Sequence, residues 1–479
     1  MRKVVSALAC LLVCVSFAGA ASASGPQIGF AEDGTKYSED GGATLFNEMN
    51  KLGTTTNRMA VFWDAGAPTT IQDEAFLRRS VPVAVAHGIQ VVFAIYPRKA
   101  AMVTSSTNGP QSFCAYAAEV ATAFPQVTKI IVGNEPNQPR FWQPIFDSSG
   151  RPLAPAAMED VLARCYDALK TVNPAIDVIG AGLSPRGNDD PNATSNSSIS
   201  PVRFIAALGK AYRSSGRTKP LFDEWAWHCY PNVNTDSVAK GYPWPQTGCV
   251  NADRVKQAIW DAFNGTAQPT FAESGPLNDT FGARVAKALT MLIDETGWQV
   301  DTSGRPGYTN AENMPPISEA TQADYYAQLV HFSDCEPGLT AFHFFHLIDE
   351  SDRTGFQSAV LRVTGEERSS ATAVQAAIAQ DGGACHGNLD TWRHTTKVLG
   401  ARASTSLSGG GLYLNLGADE GFTYTVTFTK SGKPATRVAG KAPRMVASVK
   451  VPAGYGARTA VVQFAAEVNP SRTGTVAAQ

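Results

Sequence analysis

Two glutamates stand where apolar runs give way to polar residues. The first closes Lys129-Ile-Ile-Val-Gly-Asn-Glu-Pro-Asn137. Ile130 to Gly133 are apolar or small and read as a short buried strand. Pro136 has no N–H and ends that strand, which leaves the Glu135 carboxyl at its C-terminal tip. In Leu289-Thr-Met-Leu-Ile-Asp-Glu-Thr-Gly-Trp298 a second apolar run ends in Asp294 and Glu295, and Gly297 and Trp298 break it. Two carboxyl groups aimed into one pocket are what hydrolysis of a glycosidic bond requires. One donates a proton to the leaving oxygen, and the other, ionised, acts as base or nucleophile.

The elements that must aim them alternate in type. Short apolar runs read as strands at 28–31, 56–63, 90–96, 129–133, 177–182, 221–228, 289–294 and 339–347. Helical patterns follow at 43–52, 73–87, 112–124, 156–172, 202–213, 253–263, 319–332 and 370–379. Eight strand-then-helix units predict an α/β fold, a closed (β/α)8 TIM barrel over residues 25–390, with catalytic groups at the C-terminal tips of its strands. Residues 185–200 and 265–282, rich in Gly, Asn and Ser, read as long loops. From about residue 395 apolar residues alternate with period two, at 412–416, 422–428, 445–451 and 459–464. That pattern predicts a small C-terminal antiparallel β-sandwich over 395–467, followed by a disordered tail over 468–479.

A chain of 479 residues, 43% hydrophobic and 17% charged, has room for a barrel with an accessory domain. Residues 1–24 have the form of a secretory signal peptide: Arg2 and Lys3, then an apolar stretch over 4–17, then small residues over 18–24. Without them 38 basic and 42 acidic residues remain, a net charge of −4 that points to neither nucleic acid nor an anionic membrane. Cys114, Cys165, Cys229, Cys249, Cys335 and Cys385 then form an even set, which in an exported chain favours disulfides. Six cysteines allow fifteen pairings and the sequence does not fix one; the set 114–165, 229–249 and 335–385 is the one expected, because each pair would join neighbouring barrel elements. There is no C-x-x-C, the cysteine–histidine pair Cys385-His386 is adjacent in sequence, and His343 and His346, three apart on a strand, point to opposite faces. No metal or other cofactor is expected. A carbohydrate is the expected partner of a monomeric chain, secreted to the extracellular space or periplasm, with no membrane span.

With Asn134-Glu135-Pro136 on the fourth strand and Glu295 ending the seventh, the chain resembles the clan A glycoside hydrolases over roughly residues 28–380. The resemblance implies a retaining glycosidase acting on a β-linked glycan or glycoside. In it Glu135 is the acid/base, Glu295 the nucleophile, and Asn134 a partner for the sugar 2-hydroxyl. It also implies that Arg58 on the second strand lies beside the nucleophile. In Trp-Ala-Trp-His228-Cys-Tyr230, resembling the clan's His-x-Tyr, the tyrosine would bond the nucleophile. The eighth strand departs from the clan: where a tryptophan platform is usual, the run is Phe342-His-Phe-Phe-His-Leu347, with Phe344 as substitute and His346 beside the site.

Trp63, Trp142 and Trp298, with Phe141 and Trp244, are candidate walls for sugar rings, and aromatics at strand ends are equally ordinary core. Arg58 is open to a reading as a structural ion pair, and His228 and Tyr230 as plain packing. Glu32, Asp33, Glu224 and Glu273 are competing carboxylates; Glu32 and Asp33 are placed to bind substrate hydroxyls, Glu224 to sit inside the barrel. A non-hydrolytic carbohydrate-binding protein on the same barrel is the alternative, disfavoured because binding needs no carboxylate pair.

Overall fold

The computed structural model describes residues 25–273 and 288–478. Residues 1–24, read from the sequence as a signal peptide, and much of the 265–282 loop lie outside them. The barrel opens with β1 (Gln27–Ala31), α1 (Gly34–Tyr37), α2 (Ala43–Lys51), β2 (Thr56–Trp63), α3 (Glu74–Ala86), β3 (Gln90–Pro97), α4 (Gly109–Ala123) and β4 (Lys129–Val132). It continues through α5 (Ala154–Val172), β5 (Asp177–Leu183), α6 (Pro201–Ser215), β6 (Glu224–His228), α7 (Ala252–Phe263), β7 (Thr290–Thr296), α8 (Glu319–Asp334), β8 (Leu339–Phe344) and α9 (Ser369–Asp381). The eight strands pair in parallel, each with the next, and β8 returns to β1 to close the barrel.

Alternation along each strand divides the side chains. Residues such as Val92, Ala94, Ile131, Ile179 and Leu292 fill the barrel's interior, while Phe93, Ile130, Val132 and Ile293 pack outward beneath the helices. Glu224 is indeed an internal group: it accepts from Lys129 Nζ at 2.6 Å and is 1% exposed. It lies three residues or more below the strand tips, away from the other carboxylates.

Two strand boundaries differ from expectation, and hydrogen bonding explains both. The backbone N–H groups of Leu221 and Phe222 go to the Gln268 side chain, so β6 begins only at Glu224. Those of Leu347 and Ile348 go to the Glu32 carboxylate, so β8 stops at Phe344 although the apolar run continues. Glu32 also accepts from Gly34 N and is buried. Its oxygens clasp β1 to the segment after β8, which corrects the expectation that it meets substrate. Asp33 likewise caps Ala60 N and faces Lys36.

The C-terminal unit comprises β9 (Arg402–Ser408), β10 (Gly411–Gly417), β11 (Phe422–Lys430), β12 (Lys433–Ala442), β13 (Val446–Lys450), β14 (Val461–Ala466) and β15 (Thr473–Ala477). A three-stranded sheet, β13-β10-β9, faces a four-stranded one, β12-β11-β14-β15. Leu414, Leu416, Phe422, Val426, Phe428 and Phe464 form a core of their own between them. The expectation of a disordered tail is overturned. Residues 473–477 pair antiparallel with β14, and Arg472 is buried in ion pairs with Glu420 and with Asp261 of α7. The tail is held by backbone bonds and one buried guanidinium, neither of which its Thr/Gly/Ala composition reveals.

The same interface claims Trp244. The Arg203 guanidinium of α6 lies 5.0 Å over its ring, and a Cβ on Gly421 would sit 2.5 Å from the indole. Trp244 therefore joins barrel to sandwich and forms no subsite wall. The three expected disulfides are present: 114–165 links α4 to α5, 229–249 ties the end of β6 to the turn before α7, and 335–385 ties the end of α8 to the segment after α9.

Candidate active site

Glu135 owes its position to an unusual backbone. Gly133 has φ 97° and Glu135 itself φ 39°, in the left-handed region that non-glycine residues seldom occupy. Glu135 N donates to Gly182 O of β5 at 2.9 Å, which pins that conformation. Asn137, fully buried, accepts from Ser184 N and donates to the Ser184 and Ile199 carbonyls, anchoring the segment to the β5–α6 loop. Strain held by this many partners is characteristic of a functional residue.

From β6, His228 reaches the centre of the mouth. Its Nδ1 lies 2.8 Å from Glu135 Oε1 and 3.4 Å from Glu295 Oε2, and its Nε2 lies 3.2 Å from Asp294 Oδ2. Burial opposes a charge on this ring. The carboxylates of Glu295 and Asp294, with the hydrogen bonds to Asp294 and Glu135, outweigh it and hold its pKa well above the usual histidine range. As an imidazolium it donates from both nitrogens.

Arg58 supplies the second cation. Its Nη2 meets Glu295 Oε1 at 3.1 Å, donates to Asn134 Oδ1 at 2.6 Å, and stands 3.9 Å from Asp294. Burial again opposes the charge, and Glu295, Tyr96 and Asp294 more than compensate. Tyr230 donates its hydroxyl to Glu295 Oε2 at 2.9 Å. Burial, then the nearby Glu295 and Glu135, raise its pKa well above normal, so it remains a donor.

Asp294 is the group that sequence reasoning passed over. On a regular strand it and Glu295 would face opposite sides. Here the β6–β7 register slips: Trp227 pairs with Ile293, but His228 pairs with Glu295, so Asp294 is an extra, bulged residue. Both carboxylates then reach the same cluster, Asp294 wholly buried beside His228. The adjacency of Asp and Glu at a strand end was the available signal.

Gly182 makes room for that pair. Its φ is 51°, and a Cβ there would lie 2.9 Å from Asp294 Oδ2 and 3.2 Å from His228 Nε2. Gly182→Ala is expected to cost about 1–3 kcal/mol of stability and to lower kcat about tenfold or more by displacing His228. Urea unfolding and initial rates check this; wild-type values for both would show that the cluster tolerates displacement.

The raised pKa of His228 also fixes a pH trend. Its stabilising contribution is complete below about pH 6.5, the pKa of an unfolded histidine, and disappears as pH rises through the higher folded value. Unfolding free energy should therefore fall from about pH 6 to pH 9 more steeply in the wild type than in His228→Gln, which cannot take the proton. Parallel slopes would mean that His228 binds its proton no more tightly in the folded chain than in the unfolded one, and a slope of the opposite sign would mean that it is neutral when folded.

The structure thus brings Glu135, Glu295, Asn134, Arg58, His228 and Tyr230 together. It does not bring the tryptophans. Trp63 packs edge-on against Phe113 of α4, Trp298 against Tyr325 of α8 with its N–H on Asp236 O, and Trp142 is 2% exposed. All three rings are spent in the core and offer no face to a sugar, a correction of the expectation. Phe344 is likewise buried, stacked on Tyr326. The partly exposed aromatics near Glu295 are Phe345 and Phe356, each edge- or tilt-packed against Tyr230, with Tyr96 and Phe141 meeting on the side of Arg58. His346 sits at the rim, bonded to Ala31 O at 2.6 Å and 3.6 Å from Glu350, without contact to either central glutamate. His343 is a separate, fully buried group on Thr56 and Ile293 O, pushed down to about 4 by burial. Glu273 pairs with His394, far from the cluster in the fold.

No family model matches the chain, and neither does any curated protein. Among solved structures it is similar to a family 39 glycoside hydrolase from the gut symbiont Bacteroides cellulosilyticus WH2, at 14% identity and TM-score 0.49 over 89% of this chain and 81% of that one. It is also similar to a glucosidase from Croceicoccus marinus, at 11% and 0.49 over 89% and 93%. A third is a monomeric β-xylosidase from Caulobacter crescentus CB15, at 15% and 0.46 over 92% and 96%. At these levels the likeness bears no functional weight, and function is read from the geometry of the site.

Proposed function

We propose that the chain is a secreted glycoside hydrolase that cleaves a β-linked glycan or glycoside with retention of configuration. The observation that carries this reading is the convergence of Glu135 and Glu295, from β4 and β7, on one nitrogen of His228. Their nearest oxygens can be no farther apart than the sum of those two contacts. Oxygens that close suit the retaining arrangement, in which the two carboxyl groups stand about 5–5.5 Å apart, where inverting pairs need roughly 6.5–9.5 Å to admit a water.

In the first half-reaction Glu135 gives its proton to the glycosidic oxygen as that bond breaks, and Glu295 forms a bond to the anomeric carbon. In the second, Glu135 takes a proton from water, the water oxygen bonds to the anomeric carbon, and Glu295 leaves as carboxylate. Arg58 and Tyr230 orient Glu295, one on each carboxylate oxygen. Asn134, its carbonyl fixed by Arg58, keeps an amide N–H for the sugar 2-hydroxyl. Phe345, Phe356, Tyr96 and Phe141 supply apolar ring faces in place of the buried tryptophans. Three disulfides support an exported location, and among the described residues no helix is long and apolar enough to cross a membrane.

The test is hydrolysis of a panel of aryl β-glycosides, with the first-formed sugar followed by proton NMR. A β-configured initial product supports retention. An α-configured one would keep hydrolysis and sink the double displacement. No turnover across the panel, with glycan binding intact, would favour the non-hydrolytic alternative.

A further inference from the structure

The net charge of the whole chain conceals a division. Residues 25–394 hold 28 Lys and Arg against 39 Asp and Glu, whereas residues 395–479 hold ten against three. Those three acids are all engaged: Glu420 with Arg472, Glu467 with Arg203 of α6, and Asp419 with Arg402. Five cations remain along one margin of the four-stranded sheet, at Lys430, Lys433, Arg437, Lys441 and Arg444. All are exposed, and among the described residues none is paired with a carboxylate.

The register shows where two of them point. Lys441 pairs with Thr423, Ala439 with Thr425, and Arg437 with Thr427. The residues between, Val426, Phe428 and Ala442, face the sandwich core. Arg437 and Lys441 therefore project from the outer face, four residues or about 13 Å apart. Beside them lies a shallow groove lined by Thr423, Thr425, Gln463, Ala465, Thr473 and Thr475. Strands β11, β12, β14 and β15 contain no Asp or Glu.

We propose that this outer face binds an anionic polysaccharide, a glycan carrying carboxylate or sulfate groups at intervals along its chain. Spaced cations meet the charges, and the hydroxyl and amide rows meet the sugar hydroxyls. A membrane-surface site would add Trp, Phe or Leu for insertion, and a single-stranded nucleic acid site would add stacking aromatics; the outer face has none of these. Edge-strand lysines also discourage sheet-to-sheet pairing. That role does not account for this set, because β15, the other edge of the same sheet, has no charged residue, and Arg437 and Lys441 rise from the face.

The placement relative to the barrel adds to the argument. Beyond β12, Pro443 O accepts from Arg203, which also pairs with Asp189 in the β5–α6 loop at the catalytic end of the barrel. An occupant lying along β12 is thereby led toward the mouth. Binding by this face does not depend on the hydrolytic reading of that mouth.

The experiment is fluorescence anisotropy of labelled polygalacturonate with the full-length protein, its disulfides intact. Binding is expected at low salt, with loss at about 0.5 M NaCl as the charges are screened. Arg437→Ala with Lys441→Ala should weaken it at least tenfold, and the charge-keeping pair Arg437→Lys with Lys441→Arg should restore most of it. Thermal unfolding should be unchanged in all of them, as should turnover of any small aryl glycoside the wild type hydrolyses. No binding by the wild type would overturn the proposal. So would equal binding of neutral dextran, equal binding by the alanine variant, or capture of phosphatidylglycerol vesicles without polygalacturonate.

Discussion

Glu295→Ala is expected to lower kcat by roughly 10⁴-fold or more while the chain stays folded. The carboxylate is gripped by Arg58 at 3.1 Å and Tyr230 at 2.9 Å, with His228 Nδ1 at 3.4 Å. Three donors orient one acceptor, and among the carboxylates of the cluster Asp294 is fully buried and turned to His228, so no neighbour can take its place. Folding should survive because the Glu295 side chain opens to the mouth, and Asp294 remains to face both cations. Glu135→Ala should behave differently. With a leaving group that departs without a proton, its first step should be nearly unimpaired, while substrates with poor leaving groups should lose about 10²–10⁴-fold. Rates on matched aryl glycosides and an unfolding curve decide the matter. A folded Glu295→Ala enzyme with a tenth of wild-type activity would remove Glu295 as nucleophile.

The barrel was legible because each strand is an apolar run with a sharp polar end, and because each helix keeps its periodicity. Glu135 and Glu295 were legible for the same reason: a carboxylate after a buried strand has few places to go except the mouth. Arg58, His228 and Tyr230 were expected only through the resemblance to the clan A glycoside hydrolases, which assigns such residues to the second strand and the end of the sixth. The errors share a different cause. Whether Trp63 or Trp298 points into the mouth or under a helix depends on strand phase, and a ring satisfies either side. Phase also hid Asp294, since a bulge of one residue leaves no mark in the composition. Strands β9 and β12, rich in Ser, Lys and Gly, and the tail strand β15 have little apolar patterning, and their pairing partners decide them.

Glu32 shows how far such reasoning reaches. A carboxylate at the end of the first strand looks poised for substrate. Burial raises its pKa, yet three backbone N–H groups occupy it. Backbone donors left unpaired where β8 ends had to find an acceptor, and this one was near. The same position serves structure at one strand tip and chemistry at another, and what separates them is who needs the oxygens.

Arg58 is the residue on which that distinction rests most heavily. Arg58→Met keeps length and apolar bulk but removes the charge from a side chain 5% exposed, facing Glu295, Asp294 and Asn134. Glu135, Glu295 and Asp294 would then share His228 as the one cation of the cluster. The loss of one partner from a buried ion cluster costs about 3–5 kcal/mol, measurable as a lower urea midpoint. Because Asn134 and Glu295 both lose their anchor, kcat should fall about 10²–10³-fold, with a smaller change in KM, since the guanidinium holds the groups that meet the sugar. Arg58→Lys restores the charge as a single point and cannot reproduce the fork that spans Asn134 and the carboxylates. It should recover more of the stability than of the rate. If Met and Lys variants lost stability alone, with kcat intact, Arg58 would be a structural ion pair; if kcat fell in both while only Met unfolded early, its part in aligning Glu295 and Asn134 would stand.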